Sequence, residues 1–229
     1  MHFQHDPAIW RDFPALVPGA LYTDNPEPDP ARARIAEHLA TARERLAAGS
    51  EGTLPEIQAW RRAFAAQGLK PTQYRCASES LLRRLRQSGD LPQVHPLVDF
   101  CNAVSVAFAI PVAAIDLDRV AGDLTVRYAT GTEQYETFGG EVEHPDPREV
   151  VFADGDGFAH ARRWANRQSG RSAIGPGTRR VLIVAEALHD GGATAVPLLL
   201  EALAHGLGGR PVSAVLTAGD PVFVAGGEP

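Results

Sequence analysis

The sequence is poor in several residue types and motifs, and each shortage argues against a class of protein. Only two cysteines occur, Cys76 and Cys101, among 229 residues. That number is too small for a disulfide-stapled extracellular scaffold and favours reduced thiols. No run of about 18 apolar residues is present, so no membrane-spanning helix is predicted. The first residues lack the basic and then apolar layout of a secretory signal, which favours the cytoplasm.

Motifs that bind metals or nucleotide phosphates are also missing. The eight histidines are scattered; no Cys-x-x-Cys or His-x-x-x-His pair occurs, and we predict no metal site. His2 and His5 are expected to lie on a mobile chain end. No glycine-rich loop ends in Lys-Ser or Lys-Thr, which argues against ATP, and no cofactor is predicted. The acidic segment 154–157 lacks the later ligands of a calcium loop, and a hairpin turn is predicted there.

Positive charge comes almost entirely from arginine. Lys70 is the only lysine, and the net charge of −6 argues against nucleic-acid binding by bulk electrostatics, so no DNA partner is expected. A guanidinium offers a planar donor fork for phosphate and stacks on bases. Either RNA recognition or a compositional bias toward arginine explains the clusters. These clusters lie at 61–62, 83–86, 162–171 and 179–180.

The hydrophobic pattern predicts mostly helices in the first half of the chain and strands in the second. This order, without alternating β–α–β units, is typical of an α+β fold. Residues 130–133 are expected to join strands 125–129 and 134–138 as a hairpin. Further strands are predicted at 16–22, where Pro18-Gly19 interrupts the strand, and at 150–153, 157–163, 181–187, 212–216 and 222–225. Helices are predicted from Asp29-Pro30 to Gly49, at 53–68, 77–87 and 96–110, and from about Thr194 onward.

Residues 96–129 contain the clearest succession of elements. A helix begins at Pro96 and ends before Pro111, and a short buried strand follows at 112–115. The turn Asp116-Leu117-Asp118-Arg119 leads to a strand at 123–128 with period-two alternation. The inward stripe of the helix consists of Leu97, Phe100, Cys101, Val104 and Phe108.

Three residues in buried patterns are candidates for chemistry. Cys101 lies on the apolar stripe, so it is either a buried structural thiol or a nucleophile without a neighbouring histidine. Asn102 lies on a face of small residues, where its amide must find partners and is suited to hold a substrate carbonyl or a water. Glu186 interrupts the apolar strand 181–187, and alternation directs it toward either solvent or a pocket.

The connector from Lys70 to Arg75 has no regular period. Its cations and its tyrosine are suited to a phosphate and a stacked base. A tight turn with a packed tyrosine and hydrated cations is the alternative.

Several separated motifs resemble the B3/B4 domain of the phenylalanyl-tRNA synthetase beta subunit. The family pattern V-V-D-V-T-N-Y-V followed by Q-P-M-H-A-F-D-L-D-R is matched in part by Val98, Asp99, Asn102, Pro111 and residues 116–119. The motifs occur in the expected order over most of the chain. Those that resemble free-standing members without a synthetase body are WRRAF at 60–64, KPTQYR at 70–75 and RRWANRQSGR at 162–171.

The resemblance implies a β-sandwich or mixed-sheet core with flanking helices. Residues 1–229 would form a single B3/B4-like domain, with 1–68 as a helical extension and 69–229 as the core. It also implies binding of the tRNA acceptor end and hydrolysis of a wrongly attached amino acid. The family's Thr-Asn pair falls on Cys101-Asn102, its pocket histidine on Ala113 and its pocket glutamate on Arg167. Two polar groups of the family pocket are thus replaced, which predicts a different amino acid or loss of editing.

The leading hypothesis is a free-standing aminoacyl-tRNA deacylase in the cytoplasm that is not itself a tRNA ligase. Asn102, Glu186 and Arg167 are assigned to its catalytic site. One alternative is a non-catalytic RNA-binding module, favoured by the replaced pocket residues. Another is a hydrolase or binder of a small amino-acid derivative, favoured by the negative net charge. The remaining assignments are Cys101, Ala113, Arg163, Gln168 and Ser169 in the substrate pocket, and Lys70, Arg75 and Arg83 at the RNA.

Overall fold

Two β-sheets and a layer of helices make up the fold, as seen in a computed structural model that describes residues 1–28, 33–207 and 210–226. The helices are α1 Pro7–Asp12, α2 Ile35–Ala48, α3 Pro55–Ala66, α4 Ala77–Ser88, α5 Pro96–Phe108 and α6 Gly192–Leu207. The strands are β1 His2–His5, β2 Val17–Asp24, β3 Val112–Asp116, β4 Leu124–Tyr128, β5 Tyr135–Glu136, β6 Val142–Glu143, β7 Val150–Ala153, β8 Ala159–Arg162, β9 Arg167–Gln168, β10 Arg180–Ala187, β11 Val212–Val215 and β12 Val222–Val224.

The strands form an outer sheet of six strands and a central sheet of four. The outer sheet has the order β12-β1-β4-β7-β8-β9, in which β1 and β4 run parallel and the other neighbours antiparallel. The central sheet has the order β11-β2-β10-β3 and is antiparallel throughout. A separate hairpin pairs β5 with β6.

The two sheets pack face to face, and helices cover the other side of the central sheet. Since neighbouring residues of a strand point to opposite faces, Val184 faces the outer sheet while Ile183 packs toward α5 and α6. This arrangement confirms the α+β class with a β-sandwich core and flanking helices. Between the sheets, Phe3, Val126 and Phe152 of the outer sheet share one buried cluster with Ile115, Leu182 and Val184 of the central sheet.

Residues 1–68 are not a purely helical extension. β1 lies between β12 and β4 in the outer sheet, and β2 lies between β11 and β10 in the central sheet. Both core sheets therefore depend on strands from this segment, and the boundary at residue 68 stays a prediction about folding units. The helix start predicted at Asp29-Pro30 lies outside the described residues; α2 is described from Ile35. Among the described residues, none of the helices combines the length and the apolarity needed to cross a membrane.

The hairpin predicted between residues 125–129 and 134–138 is wrong. The Glu133 carboxylate accepts hydrogen bonds from the N–H groups of Thr130 and Gly131, at 3.0 and 3.1 Å, and pairs with Arg127. These bonds close the loop on itself and redirect the chain. β4 consequently pairs with β1 and β7, whereas β5 pairs with β6.

The turn at 154–157 joins β7 to β8, as predicted, and Asp154 organises it. Its carboxylate accepts hydrogen bonds from the N–H groups of Asp156, Phe158 and Ala121 and lies 3.1 Å from His160 Nε2. Burial alone would raise the pKa of Asp154, but the hydrogen bonds from His160, Ala121 and Phe158 outweigh it and lower the pKa to about 2. Its carboxylate oxygens are thus committed to the turn.

Pro18-Gly19 does not interrupt β2, which runs unbroken from Val17 to Asp24. Instead, Gly19 lets α6 approach the central sheet closely. A Cβ at this position would lie 2.7 Å from Val196 Cγ1 and 2.9 Å from Leu200 Cδ1. Those two side chains are buried and have little room to move.

We predict that Gly19→Ala lowers the free energy of unfolding by roughly 1–3 kcal/mol, because the added methyl group overpacks the interface between β2 and α6. Chemical denaturation measures this change. Gly177→Ala is the matched control, since a Cβ at Gly177 meets nothing within 4 Å, and it should change stability by less than about 0.5 kcal/mol. Equal stabilities for the two variants would contradict the proposed close packing.

Candidate functional site

A cavity of about 60 Å³ lies between the two sheets, beside the N-terminus of α4. Since a single water needs roughly 10–15 Å³ on this measure, the cavity has room for a few waters or a small side chain. Its wall is mainly apolar and carries a short row of polar side chains. The lining residues are Ala77, Pro111, Val112, Ala113, Phe152, Ala161, Trp164, Ala165, Asn166, Arg167, Gln168, Val184 and Glu186.

Glu186 is the buried charged group of this wall, with 3% of its surface exposed. Its Oε1 accepts a hydrogen bond of 2.7 Å from His5 Nε2 and one of 2.8 Å from Trp164 Nε1. Neither bond uses Oε2. The carboxylate is therefore fixed in position through one oxygen, while the other is available to a molecule in the cavity.

His5 belongs to β1, and its ring is fully buried. Because a carboxylate only accepts hydrogen bonds, the proton of this contact resides on His5 Nε2. Nδ1 is buried and has no hydrogen-bond partner among the described residues. His5 thus connects the outer sheet to Glu186 on β10 of the central sheet.

Trp164 reaches Glu186 because the chain turns sharply after β8. Arg163 and Trp164 have φ values of 47° and 55°, a left-handed conformation that costs a non-glycine residue roughly 1–2 kcal/mol. Packing holds the turn in place: the Trp164 ring meets Trp60 and Phe13 edge to face, with centroid distances of 5.0 and 4.8 Å. The turn sends residues 164–168 along the cavity wall.

Arg167 and Gln168 follow this turn and line the cavity on β9. Gln168 Nε2 donates a hydrogen bond of 2.7 Å to the Ala114 carbonyl, which ties β9 to β3. The Arg167 guanidinium lies 3.4 Å from Glu143 and over the Tyr135 ring. Its side chain is 42% exposed, and the guanidinium is thus held at residues that do not themselves line the cavity.

The structure brings four of the predicted site residues together. Glu186, Arg167, Gln168 and Ala113 all line the cavity. The alternating pattern of β10 predicted that Glu186 faces either solvent or a pocket. In the structure, Glu186 is buried and lines the cavity. Ala113 and Arg167, the positions matched to the family's pocket histidine and glutamate, thus lie in one site.

Cys101 and Asn102 are not part of this site. Both lie on α5, which packs on the opposite face of the central sheet from the cavity. Cys101 is buried among Leu21, Val181 and other apolar residues, and burial raises the pKa of its thiol to about 12, so it is a structural thiol. Asn102 is half-buried and is not among the cavity-lining residues.

Arg163 and Ser169 support the site from outside the cavity. Arg163 Nε lies 3.3 Å from a Glu149 carboxylate oxygen, and its guanidinium stacks over the Tyr74 ring. Ser169 is buried; its Oγ donates to the Glu136 carbonyl at 2.8 Å and accepts from the Arg171 N–H at 3.1 Å. Neither residue is among those that line the cavity.

The three residues assigned to RNA lie at different distances from the cavity. Arg75 is nearest, because its carbonyl accepts a 2.7 Å hydrogen bond from Asn166 Nδ2 of the cavity wall, while its guanidinium pairs with Glu79. Arg83 is six residues beyond Ala77 on α4, about 9 Å along the helix axis, and lies 3.7 Å from Glu51. Lys70 is exposed on the connector before α4.

His5 and Trp164, which hydrogen-bond to Glu186 in the cavity wall, were not expected at the site from the sequence. His5 was expected on a mobile end, but β1 is held on both sides by β12 and β4. Phe3 and His5 are both buried and two residues apart, so the period-two pattern of His2 to His5 was the available signal. No local signal identifies Trp164, since its role depends on a left-handed turn and on residues far along the chain.

Comparison with known proteins shows the family. The model of the B3/4 domain family matches residues 59–194, more than half of the chain. The chain therefore belongs to the B3/4 domain family, and the resemblance seen in its motifs is confirmed.

Individual relatives match shorter stretches. The phenylalanine–tRNA ligase beta subunit of Legionella pneumophila is 34% identical over 74 residues, which is 32% of this chain and 9% of the relative. Those of Shewanella oneidensis and Anaeromyxobacter dehalogenans are both 36% identical, over 39% and 45% of this chain and 11% and 13% of the relative. The chain thus spans about a tenth of each relative. An N-terminal fragment of the Pyrococcus horikoshii phenylalanyl-tRNA synthetase beta subunit aligns with a TM-score of 0.39 and 13% identity, covering 48% of this chain and 40% of the fragment.

We predict that His5 and Glu186 are energetically coupled. In a double-mutant cycle with His5→Phe and Glu186→Gln, the coupling free energy should be on the order of 1 kcal/mol or more, because the two side chains share a buried hydrogen bond. Urea denaturation of the four proteins gives this value.

His2→Phe replaces His5→Phe in the control cycle. His2 lies on the same strand but is half exposed and pairs with Asp123, so its coupling to Glu186 should be near zero. A coupling near zero for His5 as well would show that the hydrogen bond contributes nothing to stability.

Proposed function

We propose that this protein hydrolyses the ester bond between tRNA and a wrongly attached amino acid, acting in trans and without ligase activity of its own. The observation that carries the proposal is the fixed carboxylate of Glu186 on the wall of the cavity. Two further points support it. The family positions assigned to the editing pocket, Ala113 and Arg167, line the same cavity. The similar proteins are named as beta subunits of phenylalanine–tRNA ligases.

In the proposed reaction, Glu186 acts as general base. A water molecule beside Oε2 attacks the ester carbonyl carbon and gives its proton to the carboxylate. The tetrahedral intermediate then collapses: the bond to the ribose oxygen breaks, and that oxygen takes up the proton. The products are the free amino acid and deacylated tRNA.

The chain supplies orientation and charge for this step. His5 and Trp164 hold the carboxylate in place, which limits the reorganisation needed during attack. We propose that the guanidinium of Arg167, which lies 3.4 Å from Glu143, turns toward the cavity when the substrate binds and stabilises the negative charge that develops on the carbonyl oxygen. Lys70, Arg75 and Arg83 are proposed to contact the RNA on the α4 side of the cavity.

The size of the cavity restricts which amino acid the tRNA substrate can carry. A pocket selects a hydroxylated side chain strongly only when it pairs the hydroxyl with polar groups, and Ala113 offers none. With about 60 Å³ available, the cavity suits a small side chain better than an aromatic one. We therefore propose that the substrate carries a small amino acid.

A non-catalytic RNA-binding module is the second candidate. The observation in its favour is that the family's pocket histidine and glutamate are replaced by Ala113 and Arg167, and that the retained Asn102 lies outside the cavity. Such a module would bind tRNA without accelerating hydrolysis. A hydrolase or binder of a small amino-acid derivative, favoured by the net charge of −6, would act on its ligand without RNA.

We predict that the purified protein deacylates at least one member of a panel of mischarged tRNAs. Glu186→Gln should lower the rate constant by roughly 10²–10⁴-fold, because the general base is lost, and Arg167→Ala should lower it less. Release of radiolabelled amino acid measures the rate. Glu201→Gln, an exposed glutamate on α6, is the matched control and should behave as the parent.

Each alternative gives a different result. Absence of deacylation across the panel, with tRNA binding that weakens steeply with salt, would favour the RNA-binding module. Absence of both activities would favour a small ligand. Full activity of Glu186→Gln would remove Glu186 from the mechanism.

A further inference from the structure

A second, polar cleft of about 490 Å³ lies against the same segment as the cavity, a few residues beyond Arg167. It shares no lining residue with the cavity. The proposed reaction uses none of its side chains. The cleft is lined by Asp118, Arg119, Val120, Ala121, Glu136, Gly170 and Arg171.

Two arginines of this cleft take part in none of the ion pairs of the described residues, although Asp118 and Glu136 also line the cleft. Within the described part of the chain, no carboxylate lies within 4 Å of the guanidinium of Arg119 or Arg171, whereas Asp118 is already paired with Arg180 at 2.7 Å. The other aspartate of the Asp116-Leu117-Asp118-Arg119 turn, Asp116, also has partners of its own: its carboxylate accepts hydrogen bonds from the Asp118 N–H and from the Thr178 hydroxyl. Arg119 is left exposed at the cleft.

Arg171 is held in a fixed orientation with an unused donor. Its guanidinium carbon lies 3.5 Å from the centroid of the Phe158 ring, a stacking arrangement that fixes the plane of the group. Its Nε is buried and has no hydrogen-bond partner among the described residues. Because Nε is covered by protein, the terminal nitrogens of the guanidinium are the donors that Arg171 can offer to a ligand in the cleft.

An exposed aromatic residue lies next to the cleft. Phe138, in the loop between β5 and β6, is 74% exposed. The loop lies directly against Gly170, where a Cβ would be 2.7 Å from the Thr137 carbonyl oxygen and 3.1 Å from Phe138 Cα. Only glycine permits this approach, which brings the backbone of Phe138 against the residue that precedes Arg171.

We propose that Arg119, Arg171 and Phe138 form a binding subsite for one nucleotide of single-stranded RNA. The arginines bind the phosphate group through their terminal guanidinium nitrogens, and Phe138 stacks on the base. The proposal rests on the proposed function, in which the RNA carries the ester into the neighbouring cavity. Because the whole chain carries a net charge of −6, local cations of this kind must supply the attraction for RNA.

The test is binding of a short fluorescein-labelled single-stranded RNA to the full chain, followed by anisotropy over a range of KCl concentrations. Arg119→Ala and Arg171→Ala should each weaken binding and reduce the slope of log affinity against log salt, and the double variant should reduce it by roughly 0.7, the value for the one phosphate contact that the two arginines share. Phe138→Ala should weaken binding by about fivefold or more and leave the slope unchanged.

Two control variants separate the subsite from general effects of charge and hydrophobicity. Arg84→Ala removes an exposed arginine of α4, and Val142→Ala trims an exposed apolar residue on the same hairpin as Phe138. Both should bind as the parent does. Parental affinity and slope in the Arg119 and Arg171 variants, or an equal loss in Arg84→Ala, would overturn the subsite. Circular dichroism confirms that each variant is folded, and exposed Arg119 tests the proposal even if Arg171→Ala does not fold.

Two further measurements assign the ligand and separate this proposal from the proposed function. If adenosine monophosphate binds as tightly as the RNA with the same dependence on Arg119, the ligand is a free nucleotide and the assignment to an RNA strand is overturned. If the parent deacylates no tRNA but RNA binding depends on Arg119 and Arg171, the proposed subsite is supported and the proposed deacylase activity is rejected. If deacylation occurs and the arginine variants keep the parental KM, the proposed subsite is rejected and the proposed deacylase activity is supported.

Discussion

The buried carboxylate of Glu186 is the constraint on which the rest of the site depends. A carboxylate removed from water costs several kcal/mol unless hydrogen bonds compensate. The compensation comes from His5 and Trp164, which belong to distant parts of the chain. One hydrogen bond joins the outer sheet to the central sheet, and the other requires the left-handed turn after β8. Both hydrogen bonds are accepted by Oε1 of Glu186. This one atom therefore connects the position of β1 with the path of residues 164–168 along the cavity.

Local elements of this fold were predictable from the sequence because their causes are local. α5 begins at Pro96 and ends at Phe108, because the next residue, Ala109, has a left-handed φ of 56° and Pro111 follows. Most of β10 is an apolar run, which identifies it as a buried strand. Glu186 is the one acidic residue in this run and was therefore recognisable as a candidate for the site. The hairpin turn at 154–157 follows from its Asp-Gly composition. In each case a few neighbouring residues decide the conformation.

The strand order and most of the site depend on contacts that no local pattern reports. His5 and Glu186 are 181 residues apart, and the parallel pairing of β1 with β4 brings in a segment that had been expected to be mobile. The hairpin expected after β4 is absent because the Glu133 carboxylate closes its loop, which is a side-chain effect. The family resemblance assigned Ala113 and Arg167 to a pocket, and both line the cavity. It assigned Cys101 and Asn102 to the same pocket, but they lie on the other side of the central sheet, because adjacency in a motif does not reveal which face of a sheet a helix covers.

Membership of the B3/4 domain family and the geometry of the cavity together restrict the chemistry. The two positions that differ from the family pattern, Ala113 and Arg167, exchange a polar group for a methyl group and a negative charge for a positive one. Both changes occur in the wall that would meet the aminoacyl group, whereas Glu186 lies deeper and is fixed. In the proposed reaction, discrimination depends on Ala113 and activation of the water on Glu186, so altered specificity is compatible with retained catalysis.

A crystal structure with an adenosine that carries an amino acid through a non-hydrolysable amide in place of the ester tests the central claim most directly. We expect the amino-acid side chain to occupy the cavity beside Ala113, with a water molecule between Glu186 Oε2 and the amide carbonyl carbon. An analogue bound on the other face of the central sheet, near Asn102, or bound with its carbonyl group remote from Glu186, would contradict it.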